Sequence, residues 1–418
     1  MKKMNWMFLN IMLCFYTSLG VYQDEVYMKV RTEGFEPITV IISSFSMDPS
    51  SGMEETVRDI IANDLRISGF FRVVEKTIDD IPSQTGLSCL LEARVELNGQ
   101  TINLMHSLYQ LPDRHLISHE LWTSSVSQIR DLAHAVSDEI TYCLTGIVGM
   151  ACTKIAFTRR RGNANEVVVI DFDGERNQAV TQGGDLNLMP SWSPDGKHLA
   201  FISYEIGRPC LIIYTFDGKI SKRVLDVQGL QSAPAWSPDG LKIALSLSID
   251  GNIDLYTMDV NTGELKRLTD HLSIETSPAW SFDGREIAFT SDRSGSPQIY
   301  LMEADGQRQT RLTYHGSYND SPAWSSKGDE LAFVSREERG FQVYVMNING
   351  SNLRKITDGL SSYENPSWSP DGLRLAFASN REGAWNIYIC NMDDSALRRL
   401  TTWGGCECPR WSPRLNLE

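Results

Sequence analysis

The spacing of apolar positions divides the chain into two unlike stretches. Before about Gly149 the period changes from segment to segment. Val26, Met28 and Val30 alternate over 25–31, the period of a strand, and 38–45 is a β-branched apolar run suited to a buried strand. Met53, Val57, Ile60, Ile61 and Leu65 then recur at helical spacing, and Gly69 supplies the stop. Strands are expected at 71–74, 90–97, 101–108 and 115–122, with Asn98-Gly99 as a hairpin turn. Ser124 or Ser125 can cap a second helix that carries Val126, Ile129, Leu132, Ala133, Val136 and Ile140 on one face and ends at Gly146. These elements predict a small α/β domain, a mixed sheet with two helices, over 21–150.

From 151 to 418 one pattern repeats. The phrase Pro-x-Trp recurs at Trp192, Trp236, Trp280, Trp324, Trp368 and Trp411, always with proline two positions earlier. The turn Ser-Pro-Asp-Gly follows at 193–196, 237–240 and 369–372; Phe282 replaces its proline once, and Ser325-Ser326-Lys327-Gly328 keeps only the glycine. Next come an apolar strand such as Leu199-Ala200-Phe201, a second strand ending near Tyr214, Tyr256, Tyr300, Tyr344 or Tyr388, and a short strand with Leu268-Thr269, Leu312-Thr313, Ile356-Thr357 or Leu400-Thr401. Four short strands in a repeat of about 40–45 residues mark a β-propeller blade. Residues 153–181 hold the last three strands of a repeat, and Cys408-Pro409-Arg410-Trp411 holds a first strand with little after it. Joined, they give a sixth blade and close the ring, so removing the last ten residues should open it. The tryptophans are expected to pack between blades, ahead of the reading in which they form a sugar platform.

Composition narrows the function classes. The chain has 418 residues and a formal net charge of -14, with no basic field for nucleic acid beyond Arg159-Arg160-Arg161, which is read as a solvated turn. Lys2 and Lys3, the apolar run to Tyr16 and Ser18-Leu19-Gly20 read as a secretory signal over 1–20, preferred to a lipoprotein signal at Cys14. No transmembrane helix is expected. The seven cysteines after it (Cys89, Cys143, Cys152, Cys210, Cys390, Cys406, Cys408) leave at least one unpaired, whether the rest are disulfides or buried thiols, and their spacing offers no zinc site.

Candidate chemistry is sparse. No Gly-x-Ser-x-Gly turn exists, and His106, His115, His119, His198, His271 and His315 are scattered, so no catalytic residue, metal or cofactor is assigned. His134 and Asp138 lie four apart on the second helix, where their side chains can meet; with no third ligand nearby this is read as a structural contact ahead of a metal or acid/base pair. The Asp-Gly turns are read as turns rather than calcium ligands. The candidate working surface is the pair of residues entering each Pro-x-Trp strand, at one mouth of the central channel. It comprises Asn187, Gln231, Ser232, Glu275, Thr276, Asn319, Asp320, Tyr363, Glu364 and Glu407, beside Leu188 and Cys406.

The repeat Leu-Thr…Pro-x-Trp-Ser-Pro-Asp-Gly…Ala-Phe…Ile-Tyr resembles that of the TolB family of the Tol-Pal system. Ile60-Ile61-Ala62-Asn63-Asp64-Leu65-Arg66-Ile67-Ser68-Gly69-Phe70-Phe71 resembles the family's first helix and its exit. Residues 132–140, with Leu144-Thr145-Gly146, resemble its second helix, and Lys154-Ile155-Ala156-Phe157 its entry to the propeller. The resemblance implies a monomeric, non-enzymatic periplasmic adaptor. Its mouth would receive the peptidoglycan-associated lipoprotein Pal, and its mature N-terminal segment, here 21–32, would meet TolA of the inner membrane. It also implies roles in outer-membrane invagination at division and in envelope integrity. The alternatives are an envelope propeller that binds a glycan or small molecule and, behind it, a peptidase-associated propeller.

Overall fold

The computed structural model describes residues 37–415 apart from 44, 46–52, 76–87, 217–219, 226–230, 250 and 393–396. The expected signal over 1–20, the strand at 25–31 and the segment 21–32 lie outside the described residues.

The first part is a five-stranded mixed sheet with two helices. Strand β1 (Ile38–Ile42) is buried along its whole length and has a parallel neighbour on each edge. These are β2 (Phe71–Glu75), reached through helix α1 (Met53–Ser68), and β3 (Ser88–Asn98), which continues antiparallel into β4 (Thr101–Gln110) and β5 (His115–Ser125). The hairpin turn falls one residue later than expected: Asn98 pairs with Thr101, and the two loop residues are Gly99 and Gln100. Gly99 takes φ 65°, so glycine at the first loop position sets the turn. Gly146 ends helix α2 (Ile129–Thr145) in the left-handed conformation, as expected. The serine cap is not as expected. Neither serine bonds a backbone N–H of the helix start; both hydroxyls donate to Gln128 Oε1, at 3.1 and 2.9 Å. Helix α2 is also buried on more than one face, from Leu132 through Asp138, because α1 packs against it on one side and propeller residues meet it on another.

The propeller has six antiparallel four-stranded sheets. The Pro-x-Trp strands Asn187–Trp192, Gln231–Trp236, Glu275–Trp280, Asn319–Trp324, Tyr363–Trp368 and Cys406–Trp411 each pack against the next and form a closed inner ring. The sixth sheet joins Cys406–Trp411 to Lys154–Arg161, with Trp411 opposite Ile155, then adds Ala164–Asp171 and Gln178–Ala179. The chain end thus closes the ring, as the split repeat implied.

Repeated hydrogen bonds explain the repeated letters. The indole N–H of Trp192, Trp236, Trp280 and Trp368 donates to the carbonyl just before the tryptophan of the preceding inner strand, at 3.0–3.2 Å. Trp324 instead donates to Gly328 of its own turn, and Trp411 to Thr153 Oγ1. Each indole therefore combines apolar burial with a directed polar link. The threonines (Thr181, Thr269, Thr313, Thr357, Thr401) lie two residues past the short outer strands rather than in them, and accept the backbone N–H of Val167, Leu255, Ile299, Val343 and Ile387. In the turns, the aspartates of 195, 239, 283 and 371 accept their own loop's serine hydroxyl and a backbone N–H two residues on. Those carboxylates are committed to the turn.

Candidate functional site

In every blade the inner strand runs from the mouth toward the tryptophan, so loops that precede inner strands share one face and the Ser-x-Asp-Gly turns share the other. The contacts of the α/β part, through Asp371, Arg374, Arg398, Asp171, Asp173 and Arg414, all come from the turn side of the ring. The mouth face lies opposite.

The candidate residues are not loop residues but the first two residues of each inner strand. They fall into two sets with different surroundings. The residues five before tryptophan are buried: Asn187, Glu275, Asn319, Tyr363 and Cys406 are at most 6% exposed. Glu275 accepts Ser291 Oγ at 3.1 Å and pairs with Arg293. Asn319 donates to Gln298 Oε1 and to the His315 carbonyl, and Tyr363 donates to Asp358. They join a buried polar layer with Asp254, Gln298, Gln342 and Asn386, which accept the hydroxyls of the threonines that follow the outer strands. Sequence reasoning assigned polar residues here to the surface; the structure buries them inside the blades with hydrogen-bond partners, although Glu275 Oε2 and Asn319 Oδ1 are left without one.

The residues four before tryptophan (Leu188, Thr276, Asp320, Glu364 and Glu407) are half-buried. Inner strands flank each of them, so the solvent that reaches them is that of the channel. The side chains of Gln231 and Ser232 lie outside the described residues. Asp320 accepts Ser277 Oγ and Thr290 Oγ1 of the preceding blade and its own neighbour's N–H, at 3.2, 2.7 and 2.6 Å. Burial raises the pKa of Glu364; Ser362 Oγ opposes the shift, and the charges of Glu407 and Asp320 add to it. One side of the mouth is therefore acidic.

Strand alternation sorts the two sets, and a bulge follows them. In every inner strand the pairing register shifts between the residue four before tryptophan and the one just before it. The proline in that interval has no N–H for the ladder. The residue before it takes φ 53–54° at Met189, Ser277, Ser321, Asn365 and Cys408. The bulge re-aims the side chains on its mouth side. Around them stands an apolar rim that the sequence reading missed: Leu186, Leu272, Ile274, Tyr314, Leu360 and Trp403 are all exposed large side chains of the mouth loops, Leu272 at 98% and Tyr314 at 77%. Arg159, read as part of a solvated turn, is in a strand with its guanidinium 4.7 Å from the Trp403 ring centre.

His134 and Asp138 do not pair. His134 Nδ1 is 2.7 Å from Asp64 Oδ2 on α1, and its Nε2 is 3.6 Å from Asp171 of the propeller. Asp138 accepts the backbone N–H of Ala151 and Cys152 at 2.7 and 3.1 Å and faces Arg414. Arg130 binds Asp173 at 2.6 Å and Asp171 at 3.3 Å, and Arg176 grips Asp131. Burial alone would lower the His134 pKa, but Asp64 and Asp171 hold it up to about 10. Asp64, His134 and Asp173 stand close enough to share a metal ion. The protonated imidazole and Arg130 already supply positive charge there, so the group reads as a clasp between α1, α2 and the propeller. No disulfide links the seven described cysteines.

A closed six-bladed propeller clipped to a two-helix α/β portion, with a mouth that the described α/β elements leave uncovered, defines the class of protein. The TolB beta propeller domain family matches residues 142–343 and 319–417, and the chain belongs to the TolB family. A Tol-Pal system protein TolB of Chromobacterium violaceum is 32% identical over 163 residues, 36% of this chain and 38% of that one. The Tol-Pal system protein TolB of Pseudomonas putida is 30% identical over 223 residues, 49% and 51% of the two chains. The matched stretch thus spans about half the length of such curated relatives, or less. The crystal structure of TolB from Acinetobacter baumannii superposes with a TM-score of 0.81 at 28% identity, over 90% of this chain and 97% of that one.

Proposed function

We propose that the chain is a periplasmic, non-enzymatic adaptor of the Tol-Pal system that acts as a monomer, with 21–150 and 151–418 as its working parts. Its propeller mouth binds the peptidoglycan-associated lipoprotein, and the segment 21–32 links it to TolA, so that it serves outer-membrane invagination and envelope integrity. The family membership supports the system. The observation that carries the binding site is the mouth itself: an apolar rim of Leu186, Leu272, Ile274, Tyr314, Leu360 and Trp403 around Thr276, Asp320, Glu364 and Glu407. Exposed apolar groups clustered on one face, with a charged centre, suit a protein partner.

The test is calorimetric titration of the mature chain with the purified peptidoglycan-associated lipoprotein. Wild type should bind, and Glu364→Lys and Glu407→Lys should weaken binding at least about tenfold, because misplaced charge at an interface costs several kcal/mol. Glu275→Lys is unsuitable, since Glu275 is a buried partner of Arg293. Absence of wild-type binding, or equal affinity in the variants, would overturn the assignment.

A further inference from the structure

The sixth repeat carries a charge where the others carry none. Just before the tryptophan, five inner strands have Ser191, Ala235, Ala279, Ala323 and Ser367; the sixth has Arg410. At this position the side chain faces the next inner strand: Ser367 Oγ accepts the backbone N–H of Trp411. Arg410 therefore projects between the sixth and first inner strands, three residues deeper than Glu407, or about 10 Å along the channel. It remains partly solvent-accessible. Inner strands wall it on both sides, so that solvent is the channel's.

Its partners are few. Arg410 Nη1 donates to the Pro409 carbonyl at 2.9 Å. Among the described residues no carboxylate forms an ion pair with it, whereas Arg293, Arg354 and Arg374 each have one. Enclosure pulls its pKa below the ordinary arginine value, opposed only by the Cys408 thiol. A cation so enclosed gains from an anion. The planar guanidinium fits a carboxylate through two parallel N–H···O bonds. The acidic mouth above, with Glu364 and Glu407, disfavours entry of multiply charged anions more than of a single carboxylate.

We propose that Arg410 is the base of a carboxylate-binding site inside the propeller channel. The carboxylate comes either from a small free anion or from an acidic side chain that a mouth-bound protein inserts; the second source rests on the function proposed above, the first does not.

Nitrogen-15 labelling of arginine gives the direct probe. The Arg410 Nε resonance is assigned by its loss in Arg410→Ala, a variant that copies Ala235, Ala279 and Ala323 and so suits the fold. Sodium acetate replacing sodium chloride at constant ionic strength should shift that resonance saturably in the isolated chain. The resonance of Arg285, whose side chain is 85% exposed, should drift without saturating. Arg410→Ala should melt no lower than wild type without acetate, since it removes an unpaired charge. With the peptidoglycan-associated lipoprotein bound, a shift already complete before acetate identifies an inserted side chain, and a retained acetate titration identifies the free anion. No saturable shift in the isolated or the bound chain, or a melting temperature several degrees lower in Arg410→Ala, would overturn the site; failure of the lipoprotein to bind would leave the acetate result standing.

Discussion

Trp411→Ala removes the residue that locks the ring. Trp411 is 6% exposed and packs with Ile155, Phe157, Ile170, Ala376 and Ile389, so it joins side chains of the last blade to those of its neighbour. Its backbone N–H bonds Ser367 Oγ at 2.9 Å, and its indole bonds Thr153 Oγ1 at 2.8 Å. Truncating a buried tryptophan costs about 3–5 kcal/mol, and the indole hydrogen bond adds about 1. Thr153 Oγ1 keeps its bond to the Met150 carbonyl, so no orphaned donor raises the cost further. The sum, roughly 4–6 kcal/mol, is a large part of the 5–15 kcal/mol typical of a folded domain. Trp324→Ala is the control. Trp324 is less buried and bonds its own turn, so its loss leaves the ring closed. Urea unfolding followed by tryptophan fluorescence and circular dichroism should give Trp411→Ala the lower midpoint by a margin worth about 2 kcal/mol, with two separated transitions or a reduced slope. Equal midpoints and slopes in the two variants would refute the clasp.

Three further outcomes follow from the geometry. His134→Ala leaves Asp64 and Asp171 without their shared cation and should cost about 3–5 kcal/mol at pH 6 by urea titration; because the His134 pKa is raised to about 10, its contribution is complete below about 6.5 and fades as pH rises toward 10, so the variant's deficit should shrink over that window. Glu364→Gln should raise the melting temperature at pH 7 and lose this advantage as pH falls to the ordinary glutamate range near about 4.3, since a raised carboxyl pKa opposes folding only once the group ionises. Gly149→Ala would place Cβ 2.2 Å from Asp138 Oδ1 and 2.6 Å from its Cα, so it should lower the melting temperature and speed amide exchange at Ala151 and Cys152.

The propeller was legible because one physical unit is written six times. Serine and threonine recur where the same hydrogen bond recurs, tryptophan does so in four blades of six, and proline recurs at the bulge. The closing strand was legible from the split repeat alone. The mouth was legible only by half. Polar residues at the start of each inner strand suggested a surface, but partners far along the chain decide burial: Glu275 meets Arg293, and Asn319 meets Gln298. The bulge had a signal in the proline two before each tryptophan, which cannot join a ladder. The apolar rim had only a partial one: Leu272, Leu360 and Trp403 each lie eight before a repeat tryptophan, but Gly184, Gln228 and Gly316 hold that offset in the other repeats and Tyr314 lies ten before. On α2, helical spacing put Asp138 within reach of His134, yet Asp64 and Asp171, each tens of residues away, claim the histidine.

The central claim is that the mouth face, and not the turn face, is the working surface. Hydrogen–deuterium exchange of the mature chain with and without the purified peptidoglycan-associated lipoprotein tests it most directly. The account predicts slowed exchange in the mouth loops 270–274, 314–318, 358–362 and 402–405 and at the first residues of the inner strands. It predicts no change in the turns 193–196, 237–240 and 281–284. Protection confined to those turns or to the α/β part, with the mouth loops unchanged, would contradict it.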